Sequence, residues 1–278
     1  SEGVSVSVCV VDNGSTDGSI ERAESSFKNV HLIRNRENVG LVAARNAGVR
    51  WALDLGADYL FFIDNDAWVE PGSLSGLMRV AEEREEALIF SPRIMDATDK
   101  RRIWYDGGYV NLFGDTYQKG MGSRLKEDPG GGKDSPVDIE FATGCAMLVR
   151  REGFEKVGSF DEEYFVYCED ADFSFRIRRH GKAIVHVPEV RVYHDQSGDT
   201  KANRGKWYRD YYVTRNKLLL SRRHLGMARR CAFYLYFAVR GVILPAGYFL
   251  ITGQFRRTAA LFEGVRDYMA GKFGEKYA

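Results

Sequence analysis

The chain has 278 residues, of which 44% are hydrophobic and 13% aromatic. This is the composition of a globular protein with a sizeable core, and it excludes a disordered chain. The net charge of +1 is unevenly spread: residues 201–278 hold 16 Lys and Arg against 4 Asp and Glu, whereas residues 1–200 hold 24 against 35. We expect a basic part suited to an anionic surface and an acidic part suited to cations, with no nucleic-acid partner.

Segments typical of strands and helices alternate over about the first 90 residues. The strand-like runs are 4–11, 30–33, 59–63 and 87–90, and the helix-like segments are 19–27, 39–54 and 73–86. This alternation predicts an α/β fold with a mostly parallel sheet flanked by helices. Such sheets bind ligands at the carboxyl ends of their strands, where Asp12 and Asp64 lie. Each could be a simple cap or turn residue, but together they suggest one shared crevice.

Further strands are predicted in the middle of the chain. They cover 137–150 (interrupted at Thr143-Gly144), 183–187 and 190–194, the last two divided by Pro188. A short helix is expected at 151–157. His186 lies inside one of these strands, and we interpret it as a structural histidine.

Asp64 and Asp66 are two residues apart at a predicted strand end. Carboxylate oxygens in such a place suit Mg²⁺ or Mn²⁺, above all when a diphosphate supplies further oxygens. A single pair of aspartates with this spacing also occurs by chance in many loops. His194 ends a strand of its own, and taken alone it is more often a hydrogen-bonded structural histidine.

A crowded set of carboxylates lies in the stretch 164–176. Glu169, Asp170 and Asp172 fall within four positions, and the apolar spacing from Asp170 onward predicts a helix. Asp170 then lies in the first turn, where the helix dipole favours an ionised carboxylate. One interpretation is a plain helix cap, and the other is a catalytic base. Asp172 is expected to pair with Arg176 at i+4.

These groups together suggest one type of reaction. A metal neutralises a nucleoside-diphosphate leaving group. An ionised carboxylate accepts the proton of an acceptor hydroxyl as that hydroxyl attacks a sugar carbon. A single base is enough for direct displacement with inversion.

Residues 206–225 have helical spacing, and the apolar runs 231–239 and 241–252 follow them. Arg240 and Pro245 interrupt the roughly 20 apolar residues that a membrane-spanning helix needs. With arginines on both flanks, the composition favours a segment lying in the membrane interface. The alternative is a helical pair that packs on the main domain or on a second subunit.

Five stretches of this chain, in this order, resemble family-2 glycosyltransferases. They are 10–17 (VVDNGSTD), 38–46 (NVGLVAARN), 62–66 (FIDND), 143–150 (TGCAMLVR) and 158–172 (GSFDEEYFVYCEDAD). The segment 211–216 (YYVTRN) also resembles the one that follows the catalytic domain of the rhamnosyltransferase-like and galactofuranosyltransferase-like members. The resemblance implies a GT-A nucleotide-diphospho-sugar transferase fold over residues 1–200. Residues 201–278 would form a C-terminal helical appendage associated with the membrane.

The resemblance implies a nucleotide site. Asp12 would hydrogen-bond the nucleobase, and Asp17 would support its loop. Arg45 would lie close to the nucleotide, and Asp64 would approach the ribose or the metal. The donor would be a UDP- or dTDP-sugar.

The resemblance also implies a metal and an acceptor site. Asp66, with Asp64 and His194, would bind Mn²⁺ or Mg²⁺. Asp170 would be the catalytic base, and Glu169 would place the acceptor, a glycan or lipid-linked glycan. The expected function is metal-dependent, inverting transfer in bacterial surface polysaccharide or glycolipid assembly. The protein is then expected to be cytoplasmic and peripheral at the inner face of the cell membrane.

One departure concerns the start of the chain. Family members normally begin with an earlier strand and helix that help to hold the nucleobase, whereas this sequence begins at what we interpret as the second strand of that pattern. An alternative function is a catalytically silent subunit of the same fold that binds sugar nucleotides or assists assembly. The intact Asp64, Asp66 and Asp170 argue against this alternative.

Overall fold

The computed structural model of the protein describes residues 5–125, 135–195 and 205–277. The strands are β1 (Val8–Asp12), β2 (Val30–Arg34), β3 (Tyr59–Ile63), β4 (Ala67–Val69), β5 (Ala87–Asp96), β6 (Ile103–Tyr105), β7 (Gly108–Val110), β8 (Thr116–Gln118), β9 (Val137–Asp138), β10 (Ala146–Arg150) and β11 (Ala183–His194). The helices are α1 (Ser19–Ser26), α2 (Leu41–Asp54), α3 (Ser73–Glu83), α4 (Arg151–Val157), α5 (Glu169–Arg179), α6 (Gly205–His224), α7 (Met227–Phe237), α8 (Leu244–Ile251) and α9 (Phe255–Met269). The domain boundary predicted at residue 200 lies outside the described residues.

The main sheet has the strand order β3–β10–β5–β11–β4, with β6 on β5 and β9 on β11. The α/β class with flanking helices is confirmed, but the strand pairing is mixed rather than mostly parallel. Only β5 and β11 pair in parallel within the described part of this sheet, because β10 inserts antiparallel between β3 and β5. Strands β3, β5 and β11 therefore end at the same edge, where the predicted site residues follow them.

Helices cover both faces of this sheet. On one face, helices α2, α4, α5 and α6 pack onto the sheet through side chains such as Val49, Phe154, Phe173 and Leu219. On the other face, α3 packs against Phe90 and its neighbours. Phe90 is fully buried, so its truncation to Ala should cost about 3–5 kcal/mol of stability.

Strands β1 and β2 form a separate parallel pair. Helix α2 covers one face of this pair, where the rings of His31 and Trp51 stack with centroids 4.9 Å apart. On the opposite face, Val8 and Val10 are exposed to solvent. The pair holds Asp12 at the end of β1.

Two predicted interruptions are wrong. Pro188 does not divide two strands but lies in a bulge of the single strand β11, between Val187 and Arg191, where a missing N–H is tolerated. Arg240 and Pro245 do not end the apolar helix either. A π-helical segment, Ala238–Ile243, joins α7 to α8, and Pro245 lies just after this segment, within one continuous helix.

The C-terminal helices have two different environments. Helix α6 belongs to the main core through Leu219 and Leu220. Helices α7 to α9 bury a smaller cluster that includes Phe233, Phe237 and Leu261. Met227–Ile251 is long and apolar enough to cross a membrane, with a mean hydropathy of 1.5, and only 22% of that window is buried.

Candidate active site

Asp64 follows β3 at the carboxyl edge of the sheet. Its backbone N–H donates a hydrogen bond of 2.9 Å to the carbonyl of Cys145, just before β10. The antiparallel pairing of β3 with β10 thus fixes Asp64 beside the turn at Thr143-Gly144. The side chain of Asp64 is 31% exposed.

Arg45 of helix α2 ties this strand end to helix α5. Its guanidinium donates to Asp64 Oδ1 at 2.8 Å, to Glu169 Oε1 at 2.6 Å and to the carbonyl of Gly144 at 2.9 Å. Burial opposes a charge here, but the two carboxylates raise the pKa of Arg45 above its ordinary value. Arg45 therefore acts as a fixed cation at the centre of the site.

Gly144 makes this arrangement possible. A Cβ atom at Gly144 would lie 2.3 Å from Arg45 Nη1 and 2.7 Å from its Cζ, well inside any real contact. The glycine also gives its N–H to Asp170 Oδ2 at 2.9 Å. The turn at Thr143-Gly144 thus contacts both Arg45 and Asp170. The sequence showed this turn as a break in a strand but did not indicate its contacts.

Glu169 and Asp170 open helix α5, as the sequence predicts. Asp170 Oδ1 accepts from the N–H of Ala171 at 2.8 Å, so both of its oxygens are oriented by backbone donors. Burial raises the pKa of Asp170 against the effect of these donors. Burial and the neighbouring Asp170 raise the pKa of Glu169 to about 7, although Arg45 opposes the shift.

Glu169 keeps one oxygen without a partner. Oε1 accepts from Arg45, whereas Oε2 is buried and accepts no hydrogen bond within the described part of the chain. A buried oxygen of this kind calls for an explanation, because it forgoes the stabilisation that water or a donor would give.

Asp172 faces the other side of α5. The predicted pair with Arg176 is confirmed at 2.8 Å, and the structure adds His224 Nε2 at 2.7 Å and the hydroxyl of Tyr164 at 3.1 Å. Burial disfavours the charge of Asp172, but His224 and Arg176 lower its pKa below the ordinary value. Asp172 is therefore a structural anion.

Asp66 and His194 lie side by side where β4 meets β11. His194 Nε2 is 3.2 Å from Asp66 Oδ1, and the ring of Trp104 packs edge-on against His194 with centroids 4.6 Å apart. His186, further back along β11, bonds to Asp106 and to the carbonyl of Ser91, as expected of a structural histidine.

Carboxylate oxygen and imidazole nitrogen are both donors that Mn²⁺ accepts, so Asp66 and His194 fit a cation chemically. The Oδ1 of Asp64, the third predicted ligand, accepts a hydrogen bond from Arg45. Within residues 5–125, 135–195 and 205–277, no group of three or more His, Cys, Asp or Glu side chains is placed to hold a metal ion. A cation here would need further oxygens from a ligand such as a diphosphate, and the metal site stays a prediction.

The predicted nucleobase end lies on the β1–β2 pair. Asp12 is buried, and its Oδ1 accepts from the N–H of Ser15 at 3.0 Å. Asp17 is exposed and accepts from the N–H of Ser19 at 3.0 Å. These bonds shape the local turn and leave the predicted nucleotide roles of Asp12 and Asp17 as predictions.

Sequence reasoning missed Asn13, which ties the two loops of this region together. Its Nδ2 donates to Asn38 Oδ1 at 3.0 Å and to the carbonyl of Gly40 at 3.1 Å. Its Oδ1 accepts from Asn35 Nδ2 at 3.0 Å. The available signal was an asparagine directly after a buried strand end, a residue type that often bonds neighbouring backbone.

Relatives and solved structures are similar to this chain over most of its length. An N-acetylglucosaminyl-diphospho-decaprenol L-rhamnosyltransferase of Mycobacterium tuberculosis is 27% identical over 91% of this chain and 86% of its own length. The dTDP-rhamnosyl transferase RfbF of Shigella flexneri is 25% identical, covering 78% of this chain and 71% of its own length.

Two solved GT-A glycosyltransferases share the fold, each with a TM-score of 0.54 and 17% identity. The mannosyltransferase PcManGT of Pyrobaculum calidifontis, solved with GDP-Man and Mn²⁺, matches 96% of this chain and 78% of its own. GalNAc-T7, solved with UDP, GalNAc and Mn²⁺, matches 76% of this chain but only 44% of its own.

The model of the family described as "Glycosyl transferase family 2" matches residues 5–158, more than half of the chain. That span contains Asp12, Arg45, Asp64 and Asp66, and the rhamnosyltransferases above extend the similarity through Glu169 and Asp170. The fold, the site and these similarities agree: the chain is a rhamnosyltransferase-like member of glycosyltransferase family 2.

Proposed function

We propose that this protein transfers a sugar from a nucleoside-diphosphate donor to an acceptor hydroxyl, with inversion at the sugar carbon. The observation that carries the proposal is the pair at the start of α5. Asp170 is fixed by two backbone N–H groups, and Glu169 beside it holds a buried oxygen without a donor. Asp170 is less buried than Glu169, so it can accept the proton of a hydroxyl placed beside it, and we propose that Glu169 helps to place that acceptor.

In the proposed step, the acceptor oxygen attacks the anomeric carbon of the donor while its proton passes to Asp170. The new carbon–oxygen bond forms as the bond to the diphosphate breaks on the opposite face, and the nucleoside diphosphate leaves with the bonding electrons. Asp170 then releases its proton to solvent. A raised pKa suits Asp170 for this role, because a base accepts a proton more readily when its pKa lies closer to the working pH.

The donor would lie between the β1–β2 pair and the carboxyl edge of the main sheet. We infer that Asp12 and Asp17 hold the nucleoside, with Asp64 near the ribose. Arg45 would keep Asp64 and Glu169 in place from behind. Asp66 and His194 would hold the Mn²⁺ or Mg²⁺, which when bound neutralises the diphosphate leaving group.

The names of the relatives suggest the substrates. One relative is named as a dTDP-rhamnosyl transferase and another acts on N-acetylglucosaminyl-diphospho-decaprenol. We propose a deoxyhexose or hexose donor on dTDP or UDP and a lipid-linked glycan acceptor. The product would belong to a bacterial surface polysaccharide or glycolipid.

A lipid-linked acceptor is consistent with the surface of the C-terminal helices. Large apolar side chains point to solvent along α7 and α8, with Leu235 75% and Ile251 88% exposed. Others of this kind are Val239, Ile243, Leu244, Tyr248, Leu250 and Phe255. Arginines flank this face at 222, 229, 230, 256 and 257. We propose that the face lies on an anionic membrane, which would place the protein at the inner surface of the cell membrane.

The transfer proposal is tested with a panel of UDP-, dTDP- and GDP-sugars, each with Mn²⁺ or Mg²⁺ and a polyprenyl-diphosphate-linked sugar acceptor. We expect nucleotide release that requires acceptor, with the product in the inverted configuration by NMR. Binding of a nucleotide sugar without transfer to any acceptor would instead support the silent subunit.

The metal site is tested apart from activity. Asp66→Ala should weaken nucleotide binding by calorimetry in the presence of Mn²⁺ and leave the metal-free affinity unchanged. An equal effect of Mn²⁺ on both proteins would remove Asp66 from the metal site.

The membrane proposal is tested by flotation with vesicles of phosphatidylglycerol and phosphatidylcholine. The triple variant Leu235→Ser, Ile243→Ser, Ile251→Ser should lose most of its vesicle binding. Leu55→Ser is the matched control, since Leu55 is an exposed leucine on the catalytic domain. Unchanged binding of the triple variant would favour a protein partner for this face.

A further inference from the structure

The loop that leads into α5 has a backbone conformation that residues other than glycine rarely adopt. Phe165, Tyr167 and Cys168 have φ angles of 62°, 67° and 71°. This left-handed region is unfavourable for residues other than glycine and persists only where the surroundings hold it. Glu169 and Asp170 follow at once, so the shape of this loop decides where their carboxylates lie.

Asn216 of helix α6 holds the loop from within. It is fully buried, and its Nδ2 lies 2.9, 2.7 and 2.8 Å from the carbonyl oxygens of Tyr164, Val166 and Tyr167. Its Oδ1 accepts from Arg215 Nε at 2.9 Å, which fixes which way the amide points. Three carbonyl oxygens of the loop backbone thus converge on one side-chain amide.

Arg215 extends this contact. It is almost completely buried, and its Nη2 donates to the carbonyls of Glu163 at 3.2 Å and Tyr164 at 3.0 Å. Its Nη1 donates to the carbonyl of Gly274 at 2.7 Å, and its guanidinium lies 4.8 Å from the ring centre of Tyr212. The loop is therefore held by α6 and by the segment that follows α9.

The opposite side of the loop braces helix α2. The N–H of Val42 donates to the carbonyl of Phe165 at 3.2 Å. A Cβ atom at Gly40 would lie only 2.5 Å from the ring of Phe165, so the ring packs directly on the start of α2. One loop thus sets the spacing between the helix that carries Arg45 and the helix that carries Glu169.

We propose that Asn216, supported by Arg215, is a positioning residue for glycosyl transfer: it holds loop 165–168 so that Glu169 and Asp170 face the acceptor. This inference rests on the transfer reaction proposed above. Asn216 touches no substrate in this arrangement. Its effect passes to the reaction through the backbone that precedes the catalytic carboxylate.

The test compares N216D and N216A with wild type. In N216D a carboxylate of the same shape faces three carbonyl oxygens, and N216A removes the donor without adding charge. We expect kcat to fall about 10- to 100-fold, as for a displacement of about 1 Å at a reacting group, with the donor dissociation constant within about threefold. Amides of residues 168–172 should exchange hydrogen faster in both variants. If N216D does not fold, N216A supplies the same measurements.

The matched control is L218A. Leu218 lies two residues further along the buried region of α6 and packs on α7 to α9 rather than on the loop. L218A should lower the melting temperature by at least as much as N216A while keeping kcat near wild type. The second arm is N216A combined with D170N, in which we expect N216A to have almost no further effect on the rate.

Three results would overturn the proposal: an unchanged kcat in N216A, an equal fall in L218A, or independent effects of N216A and D170N. A wild-type protein that transfers no sugar would contradict the proposed function instead. In that case the exchange of amides 168–172 still decides whether Asn216 holds the loop, since that measurement needs no substrate.

Discussion

The two sides of helix α5 use carboxylates in opposite ways. Asp170 on the crevice side is held by backbone N–H groups, and burial raises its pKa. Asp172, half a turn further on, contacts Arg176 and His224, and its pKa is lowered. Within one turn of the same helix, Asp170 is therefore suited to accepting a proton, whereas Asp172 stays ionised.

The difference shows that burial alone does not decide the role of a carboxylate. Both groups are largely removed from water, so both lose hydration of their charge. Asp172 recovers that loss through hydrogen bonds with Arg176, His224 and the hydroxyl of Tyr164. Glu169, Asp170 and Asp64 all lie close to the cation Arg45, so three carboxylates compete for it.

Asp170→Asn should have the largest effect. Asn keeps the shape of the side chain but cannot accept the proton, so transfer should slow by about 10²–10⁴-fold while donor affinity stays the same. Steady-state kinetics and calorimetry with the donor measure the two quantities. Equal losses of binding and turnover would reject Asp170 as the base and erase the contrast with Asp172.

Arg45→Met should have a nearly as large effect, but on the stability of the protein rather than on the rate of transfer. Removing the cation leaves Glu169 buried beside Asp170 without compensation, which typically costs about 3–5 kcal/mol. Denaturant unfolding measures the loss. The double variant Arg45→Met, Glu169→Gln should recover much of it, and a failure to recover would mean that Arg45 stabilises the fold through other contacts.

Asp172→Asn should have a smaller and purely structural effect. Loss of its charge-assisted bonds to Arg176 and His224 should lower the free energy of unfolding by about 1–3 kcal/mol. Turnover of the folded protein should change less than about threefold, because the contacts of Asp172 are with Arg176, His224 and Tyr164. A fall in kcat as large as that of Asp170→Asn would contradict the division of α5 into two sides.

The pH dependence of stability should differ in sign between the two sides. Glu169 has a folded pKa of about 7, above its unfolded value, so its contribution is intact at low pH and is lost as pH rises from about 4.5 toward 7. Asp172 has a folded pKa below its unfolded value of about 4, so its contribution is present above pH 4 and is lost below it.

Unfolding of wild type, Glu169→Gln and Asp172→Asn without metal or donor from pH 3 to 8 measures this difference. Relative to wild type, Glu169→Gln should gain stability with rising pH, whereas Asp172→Asn should lose it. Parallel curves for the two variants would show that their carboxylates have similar pKa values in the folded protein.

The sequence predicted the strand ends and the start of α5 well. Apolar runs such as 59–63 allow few alternatives, and Asp64 and Asp170 follow from them by position. Prediction from the sequence failed where strand pairing depends on segments that are distant in the chain. Nothing local shows that β10 enters antiparallel between β3 and β5, or that Pro188 lies in a bulge of one long strand.

The contacts between the site residues were harder still to predict from the sequence. The nucleotide role of Arg45 stays a prediction, and nothing in the sequence indicated that its side chain contacts Asp64, Glu169 and the carbonyl of Gly144. Residues 45, 64, 144 and 169 are far apart in the chain, so no periodicity relates them. The family resemblance identified the residues, whereas only the fold shows which of them touch.

The hold of α6 on loop 165–168 has a consequence for how the protein folds. A chain ending near residue 200 would keep the whole sheet but lose Asn216, the donor to three loop carbonyls. It would also lose the side chain of Leu219 from the main core. The catalytic carboxylates and the basic C-terminal segment should therefore unfold together, in one cooperative transition, and the segment should not be separable as an independent module.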